Sequence, residues 1–222
     1  MAPKRKAAAP PKKEEAASSA DDADDGPPPA ATVEASVNPR RIRPLRSGAA
    51  VGAGPVVYWM SRDARPADNW ALAHAAAAAA ARGAPLAVAF TLVPAFLGAG
   101  ARQFGFMLRG LRETAATLSA SGVPFFLLRG DPGAEVPDFA ARVGAAQVVT
   151  DYSPLRLGRA WRAAVADALT VPFDEVDAHN VVPVWVCSDK REVGARTLRP
   201  RLHRQLPEFL TEFPSLPKIA PW

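Results

Sequence analysis

The chain has a single cysteine, Cys187, among 222 residues. That excludes an internal disulfide framework and any metal site built from clustered cysteines, and it fits a reducing compartment. Histidine is almost as scarce. His74, His179 and His203 lie far apart and form no H-E-x-x-H pattern, so no metal site is expected. No apolar run reaches the roughly 18–20 residues that cross a bilayer; the alanine block 75–81 is short and flanked by His74 and Arg82. Charge of neither sign dominates. Lys and Arg number 27 against 22 Asp and Glu, a net charge of +5. This mild excess permits a nucleic-acid partner without requiring one.

The common catalytic signatures are missing too. A phosphate-gripping loop needs its glycines after a strand and before a helix. Gly52 and Gly54 precede the first strand-like run, and Gln103 stands where the third glycine after Gly98 and Gly100 would be. There is no G-x-x-x-x-G-K-[ST] and no G-x-S-x-G elbow. A dinucleotide or triphosphate site of the usual kind is therefore unsupported, as is a serine hydrolase of the elbow type. No catalytic residue is assigned in the chain.

What is present falls into three parts. Residues 1–50 are rich in Ala, Pro, Lys and Asp and poor in large apolar side chains. Such a stretch buries too little surface to offset the entropy of ordering it, so it reads as a disordered tail. Lys4, Arg5 and Lys6, then Lys12 and Lys13, form two basic clusters ahead of an acidic block at Asp21, Asp22, Asp24 and Asp25. The clusters are read either as a nuclear-import signal or as a solvated tail. The acidic block disfavours an organelle transit peptide, leaving chloroplast and mitochondrion as secondary destinations. Arg40, Arg41, Arg43 and Arg46 make a third basic stretch, either a charged linker or a phosphate contact.

From 51 to 187 the chain alternates apolar runs with amphipathic stretches. Strands are expected at 55–60, 86–92, 123–128, 147–150 and 173–176, with a further extended piece or sixth strand at 181–187. Helices are expected at 68–82, capped by Asp68 or Asn69 and stopped by Gly83 and Pro85, then along the Phe104–Leu118 stripe, at 133–143, and along the Leu157–Leu169 stripe. This order implies an α/β fold, a Rossmann-like parallel five-stranded sheet with helices on both faces. Ligands in such folds sit beyond the carboxyl ends of the strands. Ser61, Arg62 and Asp63 follow the first strand directly, in a polar run that ends at Asn69. They are read as a buried ion network, a helix cap or a ligand clamp. Tyr152 follows the fourth strand and either packs or stacks on a planar ligand. Residues 188–222 are basic and Pro-rich. Arg196, Arg199, Arg201 and Arg204 are the candidate nucleic-acid or linker contacts.

Several phrases recur together in one family. They are Val57-Tyr58-Trp59-Met60-Ser61-Arg62-Asp63, Asp68-Asn69-Trp70-Ala71-Leu72, Phe96-Leu97-Gly98-Ala99, Val149-Thr150-Asp151-Tyr152-Ser153-Pro154, Asp177-Ala178-His179-Asn180 and Ala195-Arg196-Thr197-Leu198-Arg199-Pro200. Their order over about 55–216 resembles the amino-terminal domain of class II cyclobutane pyrimidine dimer DNA photolyases. The resemblance implies an α/β antenna domain over 51–187 that holds a deazaflavin or a folate, with 188–222 as an interdomain linker. It implies a second, helical domain that binds FAD and UV-damaged DNA, where photoexcited reduced FAD splits the dimer by electron transfer. That domain would follow Trp222 and is absent from the chain, so FAD, lesion and electron-relay residues have no counterpart here. Ser61, Arg62, Asp63 and Tyr152 become the candidate antenna pocket or interdomain contact. Trp59, Trp70, Trp161 and Trp185 are read as core or interface residues. The expected state is a monomer without a membrane partner, in the nucleus. The alternative is a non-catalytic module that binds nucleic acid or protein through 190–204.

Overall fold

The computed structural model describes residues 37–48 and 54–222. The expected tail and its two basic clusters therefore lie outside the described residues up to 36. Residues 37–48 depart from that expectation. A turn of 3-10 helix, Pro39–Arg41, leads into strand β1, Ile42–Arg46. Five further strands follow: β2 Val56–Met60, β3 Leu86–Leu92, β4 Phe125–Arg129, β5 Gln147–Asp151 and β6 Phe173–Val176. The sheet is thus six-stranded, not five-stranded, in the order β1-β6-β5-β2-β3-β4. β1 runs antiparallel to β6 and every other pairing is parallel.

β1 escapes sequence patterning for a physical reason. It is an edge strand with a proline and two arginines, and such residues are what protects a sheet edge from further pairing. Arg43 lies over the Trp185 ring at 4.8 Å and pairs with the buried carboxylate of Glu175. What reads as a charged linker is the sheet's outer border.

Helices cover both faces. Helix α1, Trp70–Arg82, starts where Asn69 Oδ1 accepts the Leu72 amide at 2.9 Å and ends at Gly83 with φ +62°, a left-handed position that favours glycine. Ala71, Ala75 and Ala79 are fully buried. Their small side chains at four-residue spacing let the helix lie close to the strands. α1 and α2, Ala101–Ala120, cover one core with Tyr58, Met60, Val88 and Phe90. α3, Pro132–Arg142, and α4, Arg156–Ala168, cover the other with Val57, Trp59, Val148 and Phe173. The alternation of Val57, Tyr58, Trp59 and Met60 between the two cores is the two-residue period of a strand buried on both faces.

The extended piece expected at 181–187 is instead a short helix, α5, Val184–Cys187. Asp177 causes the difference: its carboxylate accepts the amides of Asn180 and Val184 at 3.1 and 2.9 Å, which folds the chain into a turn. The last helix, α6, Ala195–Phe209, contains Pro200 and Pro207. Beyond it the chain returns to the core: Phe213 packs on Trp70 at 4.5 Å, and Ala220 bridges to Pro85. The segment 188–222 is therefore part of the folded body rather than a strap leaving it. No helix among the described residues is long and apolar enough to cross a membrane.

Candidate functional site

β2 connects to β3 on one side of the sheet, and β5 connects to β6 on the other. The two strands are neighbours, so their carboxyl ends mark the point where the chain direction splits. Open α/β sheets bind ligands in that crevice, and dinucleotide folds place a phosphate there. Here the position is taken by the chain's own carboxylate. Asp151, the last residue of β5, accepts the amides of Ser61 at 2.9 Å, Arg62 at 2.8 Å and Asp63 at 3.3 Å on Oδ2. Successive amides converging on one oxygen form an anion nest. Tyr58 Oη donates to Asp151 Oδ1 at 2.7 Å, and Asn69 Nδ2 donates to Tyr58 Oη at 3.0 Å. Burial pushes the Asp151 carboxyl above its ordinary value, against the hydrogen bonds that favour its charged form. Burial and the neighbouring Asp151 charge push the Tyr58 phenol well up.

This network places the expected residues. Ser61, Arg62 and Asp63 do come together, through their backbone amides. Asp63 is also buried, with Oδ1 at 3.6 Å from His179 Nδ1 and 3.7 Å from Arg65 Nη1. Tyr152 does not join them. Its ring meets Trp185 edge-on at 5.4 Å and carries the Arg162 guanidinium at 5.5 Å on its face. Both contacts lock the ring into the packing. Of the basic candidates on α6, Arg201 pairs with Glu192 at 3.1 Å. Arg196, Arg199 and Arg204 are exposed and have no carboxylate within 4.0 Å among the described residues.

An apolar cavity of about 280 Å³ opens beside this network, across the ends of β2 and β3. Trp59, Phe90, Phe96, Phe104 and Trp161 supply its aromatic walls, and Ser61, Thr91 and Gln103 are its polar lining groups. No charged side chain lines it. Among the residues expected from sequence only Ser61 reaches it. The others were invisible because the walls come from β2, β3, α2, α4 and the loop 93–100, which are distant in the chain. The sequence signal was present only as a place, the strand-end loop after β3.

The amino-acid sequence of residues 56–218 matches the family model described as DNA photolyase. The chain belongs to the DNA photolyase family. The deoxyribodipyrimidine photo-lyase of Oryza sativa subsp. japonica is 51% identical over 189 residues, covering 82% of this chain and 37% of that protein. That of Arabidopsis thaliana is 48% identical over 189 residues, covering 82% of this chain and 38% of that protein. That of Potorous tridactylus is 52% identical over 160 residues, covering 71% of this chain and 30% of that protein. The chain thus spans less than two fifths of the length of these photolyase relatives. Its six-stranded, mostly parallel sheet with helices on both faces is the α/β fold of the matched photolyase region.

Flavin binding in the family raises the question of fit. The described residues do not suit the pyrophosphate of FAD at the switch point, because Asp151 fills the amide nest there. The neighbouring cavity suits a different part of a ligand, a planar uncharged ring between aromatic walls.

Proposed function

We propose that this chain is the antenna-type α/β portion of a class II cyclobutane pyrimidine dimer photolyase, acting in light-driven repair of UV-damaged DNA. The ordered set of phrases from Val57 to Pro200 supports the class. The aromatic, charge-free cavity at the ends of β2 and β3 supports the antenna role, and it carries the reading. Trp59, Phe96, Phe104 and Trp161 would hold the ring of a deazaflavin or a folate. When bound, such a pigment absorbs light and passes the excitation to FAD held elsewhere. The chain's own residues orient and shelter it. Asp151 fixes the Ser61 wall through the amide nest, and Thr150 Oγ1 holds the Trp59 carbonyl at 2.9 Å. In this reading Ser61 is a pocket residue, Arg62 and Asp63 shape the network behind it, and Tyr152 stands apart, packed against Trp185 and Arg162. The two basic clusters of 1–13 direct the protein to the nucleus in the same reading. Mixing the purified chain with a deazaflavin and with a methenyl folate tests the antenna role. The expected result is saturable binding of one of them with quenching of tryptophan fluorescence. Absence of binding by both overturns it.

One observation favours a second reading. Arg196, Arg199 and Arg204 stand on α6 without carboxylate partners among the described residues. A module that binds nucleic acid would use them as phosphate contacts, and its affinity would fall steeply with salt. A DNA titration at two salt concentrations separates the readings.

A further inference from the structure

β4 ends the sheet on the side opposite β1, and among the described residues only β3 pairs with it. The two edges are built differently. β1 carries Pro44, Arg43, Arg46 and a break in register between Pro44 and Arg46, devices that stop further pairing. β4 reads Phe125-Phe126-Leu127-Leu128-Arg129, with no proline and an unbroken register. The Pro124 carbonyl accepts the Val88 amide at 2.9 Å, and the Gly130 amide donates to the Leu92 carbonyl at 3.2 Å. Backbone groups alternate in direction along a strand, so Phe126 and Leu128 also face β3. The N–H and C=O groups of Phe125, Leu127 and Arg129 then point away from the sheet. Leu127 is 39% exposed. Phe126 and Leu128 on either side of it join the α3 core, so its side chain lies on the α2 face. Trp222 rests on Phe126 at 5.4 Å.

The geometry points to a second copy of this chain as the occupant of that edge, its β4 running antiparallel to the first about a two-fold axis at Leu127. In this register Leu127 faces Leu127 of the second copy, and Phe125 faces its Arg129. These are the outward-pointing residues, so each facing pair exchanges N–H···O bonds. The Arg129 guanidinium also meets an aromatic ring across the seam. Charge selects a copy over an unrelated strand. Glu135 of α3 packs against Gly130, just past the carboxyl end of β4. Arg142, at the other end of α3, lies by Phe139, which packs on Phe126. Both charges line a groove along β4 with Phe126, Leu128 and Arg129. The two-fold axis sets the α3 helices side by side and antiparallel, so Glu135 of each copy faces Arg142 of the other. Arg142 already pairs with Asp138 at 3.0 Å, but both are exposed, and such a pair holds its arginine only weakly. The edge is thus complementary to itself in hydrogen bonding and in charge. This inference is independent of the antenna reading.

Sedimentation of the full 222-residue chain across a range of concentrations tests it, with hydrogen exchange of the β4 amides at the two extremes. The expected result is a mass that rises from one chain toward two between about 1 and 300 µM, as for a small interface. The amides of Phe125, Leu127 and Arg129 gain protection over the same range. Leu127→Pro removes an outward N–H and spares the bonds to β3, so it weakens the dimer by about tenfold or more. Glu135→Arg weakens it by about fivefold, and adding Arg142→Glu in the same chain restores it to within about twofold of the wild type. Melting temperatures confirm that each variant is folded, and the charge swap decides the matter if Leu127→Pro does not fold. A mass of one chain at every concentration overturns the inference. So does a dimer that these substitutions leave unchanged, since another surface would then hold it. Protection of the three amides that is already complete in dilute solution also overturns it, because the edge would then be covered within one chain.

Discussion

Tyr58 and Asp151 meet at the centre of the sheet, the phenol donating to the carboxylate at 2.7 Å with both side chains fully buried. The contact ties β2 to β5 at the point where a ligand crevice would otherwise open. Removing the carboxylate strands three amides and a phenol in a dry interior. Asp151→Ala is expected to destabilise the chain by about 3 kcal/mol or more, read as a lower urea midpoint with an unchanged slope. Tyr58→Phe removes one donor from an oxygen other than the one holding the amides, so its cost is about 1–2 kcal/mol.

The same carboxyl gives a pH signature. Burial raises its folded-state value above that of the unfolded chain, so the native state binds more protons between the two. The stability that this group contributes is then fully present below the unfolded value and is lost as pH rises through the folded one. Asp151→Asn removes this dependence. Unfolding curves for wild type and variant, taken upward from about pH 4, should show the wild type losing stability relative to the variant as pH rises. Parallel curves would contradict the assignment.

Arg41 is the second buried anchor. It is 1% exposed, and its guanidinium donates to the carbonyls of Asp177, Asn180, Val181 and Phe209 at 2.7–3.2 Å. The Trp70 ring lies 4.6 Å from it. Burial draws it below its ordinary value, and Asp177 opposes the shift. Arg41→Ala is expected to cost about 3–5 kcal/mol, and Arg41→Lys to recover little of it, because an ammonium lacks the planar fork that reaches several carbonyls. Proteolysis of α6 in native conditions should accelerate in both variants, since Phe209 loses its tether.

The antenna reading makes a functional prediction. The 222-residue chain should bind pigment without splitting thymine dimers in near-UV light, even with reduced FAD supplied. Product analysis of an irradiated oligonucleotide checks this, and dimer loss above a dark control would contradict it.

Much of the fold was legible locally. The apolar runs at β2, β3 and β5 and the helical stripes between them needed only neighbouring residues. So did the cap, expected at Asp68 or Asn69 and found at Asn69, because an N-cap is a matter of three residues. β1 was not legible, since Pro44 and Arg43 make sense only beside β6. The turn at α5 needed Asp177, and the role of Arg41 needed carbonyls more than a hundred residues away. The side chains of Ser61, Arg62 and Asp63 suggest an ion network, a cap or a clamp, whereas it is their amides that do the holding, on Asp151.

Local chemistry therefore settled the order of strands and helices, the family phrases and the absence of a phosphate loop, because each depends on residues within a turn or two of one another. Assembly settled which groups share a space. Asp151 fills the amide nest, Tyr152 is held between Trp185 and Arg162, and Trp59, Phe90, Phe104 and Trp161 wall one cavity. Those facts depend on which strand ends lie side by side, and burial gives them their weight, since a hydrogen bond or charge matters most where water cannot replace it.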